Sequence, residues 1–297
     1  ASNSHTGAYA APVQQVLGEL LAAATLMQSN IKFDGALIVQ IFGDGPLKLA
    51  VAEVQPDLSL RATATVVGAV GADSSPSAMV NVSNLGRCAI TLDPKSRFPG
   101  QQPYQGVVPL FGDRGEKLEK LSDVLQHYML QSEQLDTTLV LAADDRIAAG
   151  LLIQRLPLQG SGNLAAGQGE SANEDQIGLN EDYNRIAMLA SSLKREELLT
   201  LDVDTILRRL FWEENLTRFE PLQAESGPHF SCSCNRAKVA AMIVALGAAE
   251  AESIIAEQGQ IEVSCEFCGA QYRFDAIDAA QLFLPVSESP LGSSNPQ

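Results

Sequence analysis

Apolar residues recur near the start of the chain at helical spacing. Val13, Val16, Leu17, Leu20 and Leu21 fall at i, i+3, i+4, i+7 and i+8, the stripe of one buried helix face. A helix is therefore predicted from about Pro12, where the missing proline N–H is not needed. The period then changes to that of strands. Residues 36–42 form a short apolar run, Gly43-Asp44-Gly45-Pro46 breaks it, and Leu47, Leu49 and Val51 alternate beyond the break, which predicts a hairpin. Further strands are expected at 61–67, 87–92, 104–110, 138–142 and 148–153, with a helix over 117–131 carrying Leu118, Leu121, Leu125 and Tyr128 on one side. Strands joined by hairpins, with helices inserted rather than strictly alternating, predict an α+β fold built on a mostly antiparallel sheet.

The pattern fails after Gln159. Residues 160–180 are rich in Gly, Ser, Asn, Gln and Glu, too polar to order themselves, and read as a linker. Helical patterns follow. Val203, Ile206, Leu207, Leu210 and Phe211 make an apolar stripe with Asp202 or Asp204 as N-cap, while Arg208, Arg209, Glu213 and Glu214 occupy the outer face. A helix with one apolar side needs a surface to lie on, and either permanent packing or reversible docking would supply it. The expected organisation is an α+β domain over 1–159, a flexible then helical linker over 160–228, a cysteine-bearing domain over 229–285 and a loose tail over 286–297.

Four of the five cysteines fall in two tight pairs, Cys232-Ser233-Cys234 and Cys265-Glu266-Phe267-Cys268, separated by thirty residues. Zinc favours four soft ligands in a tetrahedron, and each pair can offer two thiolates from one turn, which makes a closed structural zinc site the expected use. Gly269 gives the second pair room to turn. Asn235 is placed to cap a helix ending at Gly247, and a second short helix ends at Gly259. Ile261 and Val263 alternate into the second pair while Tyr272 and Phe274 alternate out, so that pair should sit on a hairpin tip. His229 is close enough to be a ligand, but with four thiolates available a solvated ring is the simpler reading. Cys88 stands alone in a strand and reads as a small core residue.

Composition narrows the function classes. At 297 residues the chain can bury a substantial core, and 45% hydrophobic content with mean hydropathy near zero describes a soluble protein. No run approaches the ~18 apolar residues of a membrane span. A formal charge of -16 opposes phosphate contacts, so nucleic acid is an unexpected partner. The Gly43–Gly45 turn lacks the lysine and hydroxyl of a phosphate loop. No apolar leader opens the chain, which starts at Ala1, so an oxidising export route is not expected and the cysteines should meet a reducing cytoplasm. A thioredoxin-like oxidoreductase would use Cys265 and Cys268 alone, at the start of a helix, and a zinc-ribbon nucleic-acid module would need a basic face.

The paired cysteines resemble the signature of the 33 kDa heat-shock protein family, bacterial redox-regulated holdase chaperones. Gly43-Asp44-Gly45-Pro46-Leu47, Tyr104-Gln105-Gly106-Val107-Val108, Ser132-Glu133-Gln134-Leu135 and Glu196-Glu197-Leu198-Leu199-Thr200-Leu201 extend the resemblance over nearly the whole chain. It implies a non-enzymatic chaperone in which Cys232, Cys234, Cys265 and Cys268 hold one zinc while reduced. Oxidation would then form disulfides between Cys265 and Cys268 and between Cys232 and Cys234, releasing zinc. The cysteine domain would unfold, the helix bearing Val203, Ile206, Leu207, Leu210 and Phe211 would detach, and the exposed surface would capture unfolding proteins, with a homodimer as the active form. It also implies a first strand ahead of the segment matching Pro12, so the sheet is expected to be incomplete.

Overall fold

A short antiparallel pair, β1 (Ser2–Asn3) and β2 (Gly7–Ala8), precedes helix α1 (Ala11–Asn30). The computed structural model describes residues 2–3, 7–98, 100–155, 180–218 and 227–284, and divides the chain into two units, Ala1–Ser231 and Cys232–Gln297. The expected linker 160–180, apart from Asn180, and the expected tail 286–297 lie outside the described residues.

The first unit is built on strands β3 (Gly35–Phe42), β4 (Leu47–Val54) and β5 (Ser59–Val66), the short helix α2 (Pro76–Val80), and strands β6 (Arg87–Pro94) and β7 (Tyr104–Pro109). Helix α3 (Leu121–Glu133) and the hairpin of β8 (Thr137–Ala143) and β9 (Ala148–Gln154) follow. The expected hairpin turn is present, and glycine is required there: a Cβ on Gly43 would stand 1.9 Å from the Leu47 carbonyl oxygen. The helix expected from Lys117 begins instead at Leu121. Phe111 and Lys117 form a β-bridge, so Leu118 packs on the core from the irregular segment between that bridge and α3 rather than from a helix.

Helix α1 lies between two β layers, packing on β4 and β5 through one side and on β8 and β9 through another. Its buried face is therefore wider than one stripe and includes Glu19 and Gln28. Burial holds the Glu19 carboxyl above its ordinary range, against the hydrogen bond donated by Gln15 Nε2 at 3.0 Å. Gly18 permits the close approach to the hairpin, since a Cβ there would sit 2.6 Å from that of Ala143.

The β8–β9 hairpin has two covered faces, and the period-2 alternation of strands divides its side chains between them. Leu139, Leu141 and Leu152 pack into the α1 core, whereas Val140, Ala142, Ala149, Leu151 and Ile153 join a separate cluster on the far side. That second cluster is closed by α4 (Glu181–Ser191), α5 (Arg195–Thr200) and α6 (Val203–Phe211). Helices α4 and α5 lie on the hairpin, and α6 packs on α4. The last element of the unit, β10 (His229–Phe230), was not expected. It pairs in parallel with β5 and completes the order β10-β5-β4-β3-β6-β7, in which every other pairing is antiparallel.

The second unit contains α7 (Arg236–Leu246), α8 (Ala248–Gln258), the hairpin of β11 (Ile261–Ser264) and β12 (Gln271–Phe274), and α9 (Ala276–Leu282). Its buried core is Val239, Ile243, Ala251, Ile261, Phe274 and Ala279. A core this small supplies no more than about 3–5 kcal/mol, so such units usually need a staple. Among the described residues no single helix is long and apolar enough to cross a membrane. The architecture is α+β, as expected.

Candidate metal centre

The first cysteine pair stands immediately before α7, whose entrance is fixed by Asn235 Oδ1 accepting the Lys238 N–H at 2.9 Å. Arg236 ties this segment to the second hairpin. Its guanidinium donates to the Arg273 carbonyl and to Asp278 Oδ2, each at 2.7 Å, and lies 4.1 Å from the Phe274 ring centre. The second pair occupies the β11–β12 turn, closed by Cys265 N–H to Ala270 O at 2.8 Å and Gly269 N–H to Cys265 O at 2.7 Å. Gly269 has φ +75°, the left-handed region that its lack of a Cβ allows.

These two supports bring all four sulfurs within 4.8 Å of one another, in the arrangement expected from the spacing. Cys232 Sγ is 3.7 Å from Cys265 Sγ, and Cys234 Sγ is 3.3 Å from Cys268 Sγ. A zinc ion with four bonds of ~2.3 Å would set sulfurs about 3.8 Å apart. The donor set thus fits a tetrahedral thiolate site with little movement, and these residues could hold a metal ion. Loss of water, followed by hydrogen bonding with the neighbouring thiols, pushes the Cys268 thiol up to about 12, and burial raises Cys265 as well. Crowded thiols resist ionising together unless a cation sits among them. Tyr272, on β12, donates its hydroxyl to Cys234 Sγ at 3.2 Å, and that contact, before desolvation, raises its own pKa to about 12.

The other candidates fall elsewhere. His229 lies in β10 with Nδ1 3.0 Å from the Gly227 carbonyl oxygen and is not a member of the cluster. Cys265 and Cys268 do not stand at a helix N-terminus, the position an oxidoreductase motif would need. Cys88 on β6 is fully buried, and burial pushes its thiol up to about 12, so it stays protonated and inert. Cys88→Ser should leave metal content unchanged by elemental analysis while lowering the melting temperature, because it puts a hydroxyl into an apolar core. A fall in metal content would place Cys88 in the site.

Of the predicted linker stripe, Ile206, Leu210 and Phe211 are buried and Leu207 is partly so. Val203 is 70% exposed, against expectation; it is the first residue of the helix, directly after the Asp202 cap that accepts the Thr205 N–H at 2.9 Å. The stripe of α4 was not anticipated. Ile186, Leu189, Ala190 and Leu193 recur at i, i+3, i+4 and i+7, a signal present in the sequence. Polar ties accompany it: Tyr183 Oη lies 3.0 Å from Thr138 Oγ1, Arg195 donates to the Ala143 carbonyl, Arg209 pairs with Glu197 and Arg185 pairs with Glu214. The last two pairs are solvent-screened, so apolar burial dominates the attachment.

A two-unit α+β protein with four clustered thiols that could hold a metal ion in its small C-terminal unit is the class that fold and site define. The Hsp33 protein family model matches residues 2–275, and the chain belongs to that family. It is 42% identical over 276 residues to the 33 kDa chaperonin of Chromobacterium violaceum, covering 93% of this chain and 83% of that one. It is 40% identical to the 33 kDa chaperonin of Methylobacillus flagellatus, covering 91% and 82%. Among solved structures, the 33 kDa chaperonin of Thermotoga maritima shares the fold with a TM-score of 0.66 at 20% identity, over 91% of this chain and 84% of that one.

Proposed function

We propose that this protein is a redox-regulated holdase chaperone of the cytoplasm, without enzymatic activity, that binds unfolding proteins under oxidative stress. The observation that carries the reading is the convergence of Cys232, Cys234, Cys265 and Cys268 in a small unit with a small apolar core, within a family of named chaperonins. Zinc, when bound, would hold the four sulfurs as thiolates and supply folding energy on the order of 10–16 kcal/mol. Peroxide converts one thiolate of a pair to a sulfenic acid with loss of hydroxide. The second thiolate then attacks that sulfur and displaces another hydroxide, closing the disulfide.

Two such disulfides leave no thiolate donor and therefore no staple for the second unit. Loss of that unit would loosen α4, α5 and α6 from the β8–β9 hairpin and expose the apolar cluster between them to clients, with a homodimer as the active form. Light scattering of an aggregating model protein tests this directly. Peroxide-treated protein should suppress scattering and reduced protein should not; equal behaviour of the two would remove redox control.

The order of oxidation follows from ring size. A Cys265–Cys268 bond spans two intervening residues, whereas Cys232–Cys234 spans one and is strained until the chain loosens. Mass spectrometry of alkylated samples through a mild peroxide time course should show the Cys265–Cys268 bond first. Build-up of Cys232–Cys234 with Cys265 and Cys268 still reduced would reverse the order.

A further inference from the structure

The geometry points to Tyr272 as a positioning residue that sets the oxidation threshold of the thiol centre, through the hydrogen bond its hydroxyl donates to Cys234 Sγ. The inference rests on the redox-switch reading of the same cysteines and adds a residue to it. Register fixes the placement: Tyr272 pairs with Val263 across the β11–β12 hairpin, and the hairpin's turn carries Cys265 and Cys268. One hairpin thus supplies two sulfurs directly and reaches a third through the tyrosine. Cys265 and Cys268 receive backbone N–H groups from their own turn, at Phe267, Cys268 and Ala270. The donor to Cys234 is a side chain from 38 positions away, so it can be removed without altering the turn.

The chemical consequence follows from what the oxidant attacks. A peroxide oxygen accepts the electron pair of a thiolate sulfur; the O–O bond breaks, sulfenic acid forms and hydroxide leaves. A hydrogen bond to a sulfur draws on the same electron pair and makes that sulfur a poorer nucleophile than it would be without the bond. Cys265 and Cys268 bear the same effect from their own turn, so the order of the two disulfides rests on ring strain and the tyrosine raises the threshold at Cys234 alone. Cys234 is thereby protected while the hairpin is folded. Once Cys265 and Cys268 have been oxidised and the hairpin loosens, the donor is withdrawn and Cys234 becomes available to close a bond with Cys232. The tyrosine thus adds to ring strain in holding back oxidation at Cys234 until the hairpin loosens.

Tyr272→Phe removes one oxygen and keeps the ring. The full-length chain, reduced and loaded with zinc, is treated with hydrogen peroxide while zinc release is followed with a colorimetric chelator and cysteine oxidation is located by mass spectrometry. The variant should hold the same stoichiometric zinc and release it on the order of tenfold faster, with early oxidation at Cys234. Val263→Ala, which trims the cross-strand neighbour and keeps the hydroxyl, should release zinc at the wild-type rate. Equal acceleration in both variants would assign the effect to hairpin packing and overturn the proposal. An unchanged rate in Tyr272→Phe would overturn it too, as would failure of that variant to take up zinc, because a group that only slows oxidation is not required to close the site. If wild-type protein binds no zinc, or keeps it under peroxide, the redox-switch reading itself fails, which is a different result from a wild-type switch that Tyr272→Phe leaves unmoved.

Discussion

Replacing Leu210 and Phe211 together by serine should detach the helical layer and give a chaperone that works without oxidant. Both side chains are buried in the cluster that joins α6 to α4 and to the outer face of the β8–β9 hairpin. Each buried side chain of this size contributes roughly 1.5–3 kcal/mol, and truncating a buried Leu or Phe costs about 2–5 kcal/mol. The pair therefore exceeds what the exposed Arg185–Glu214 and Arg209–Glu197 contacts can retain. Hydrogen exchange over 181–211 should rise to near the unprotected rate while the α1 core stays protected, and reduced protein should suppress aggregation. Val203→Ser, at the exposed end of the same helix, should change neither measurement. Protection of 181–211 that survives the double substitution would show that the polar ties or α5 hold the layer, and the latch would have to be sought there.

Cys265→Ser should abolish high-affinity metal binding and unfold the second unit while leaving the first folded. A single lost thiolate leaves three donors, and most of the ~10–16 kcal/mol available from a closed zinc site disappears with it. The apolar core around Ile243 and Phe274 cannot replace that amount. Circular dichroism should show partial loss of helix, elemental analysis should show substoichiometric zinc, and two thermal transitions should reduce to one. Retention of full zinc would remove Cys265 from the ligand set.

What the sequence made legible is what depends on near neighbours. The hairpin at Gly43–Pro46 was readable because glycine and proline punctuate the chain locally, and the cysteine cluster because the members of each pair are sequence neighbours. The pattern of α1 showed its apolar stripe but not its second covered side, where a hairpin more than a hundred residues downstream packs on the helix. Leu118 fitted a helical stripe yet packs from the irregular segment between a β-bridge and α3, because periodicity counts positions and not hydrogen bonds. Strand β10 is two residues long and has no pattern of its own; β5 creates it by pairing. The role of Tyr272 was hidden for the same reason, as alternation placed it on the strand but nothing local named Cys234 as its partner.

The two covered faces of β8–β9 make the hairpin resemble a glued panel with one joint on each side. Leu139, Leu141 and Leu152 form the inner joint, and Val140, Leu151 and Ile153 form the outer one. If the outer layer is released as proposed, the inner joint on α1 still holds the hairpin in shape. The helices that peel away would then leave their own template behind, so re-adhesion requires no refolding of the wall they return to. The same wall would then serve for release and for return.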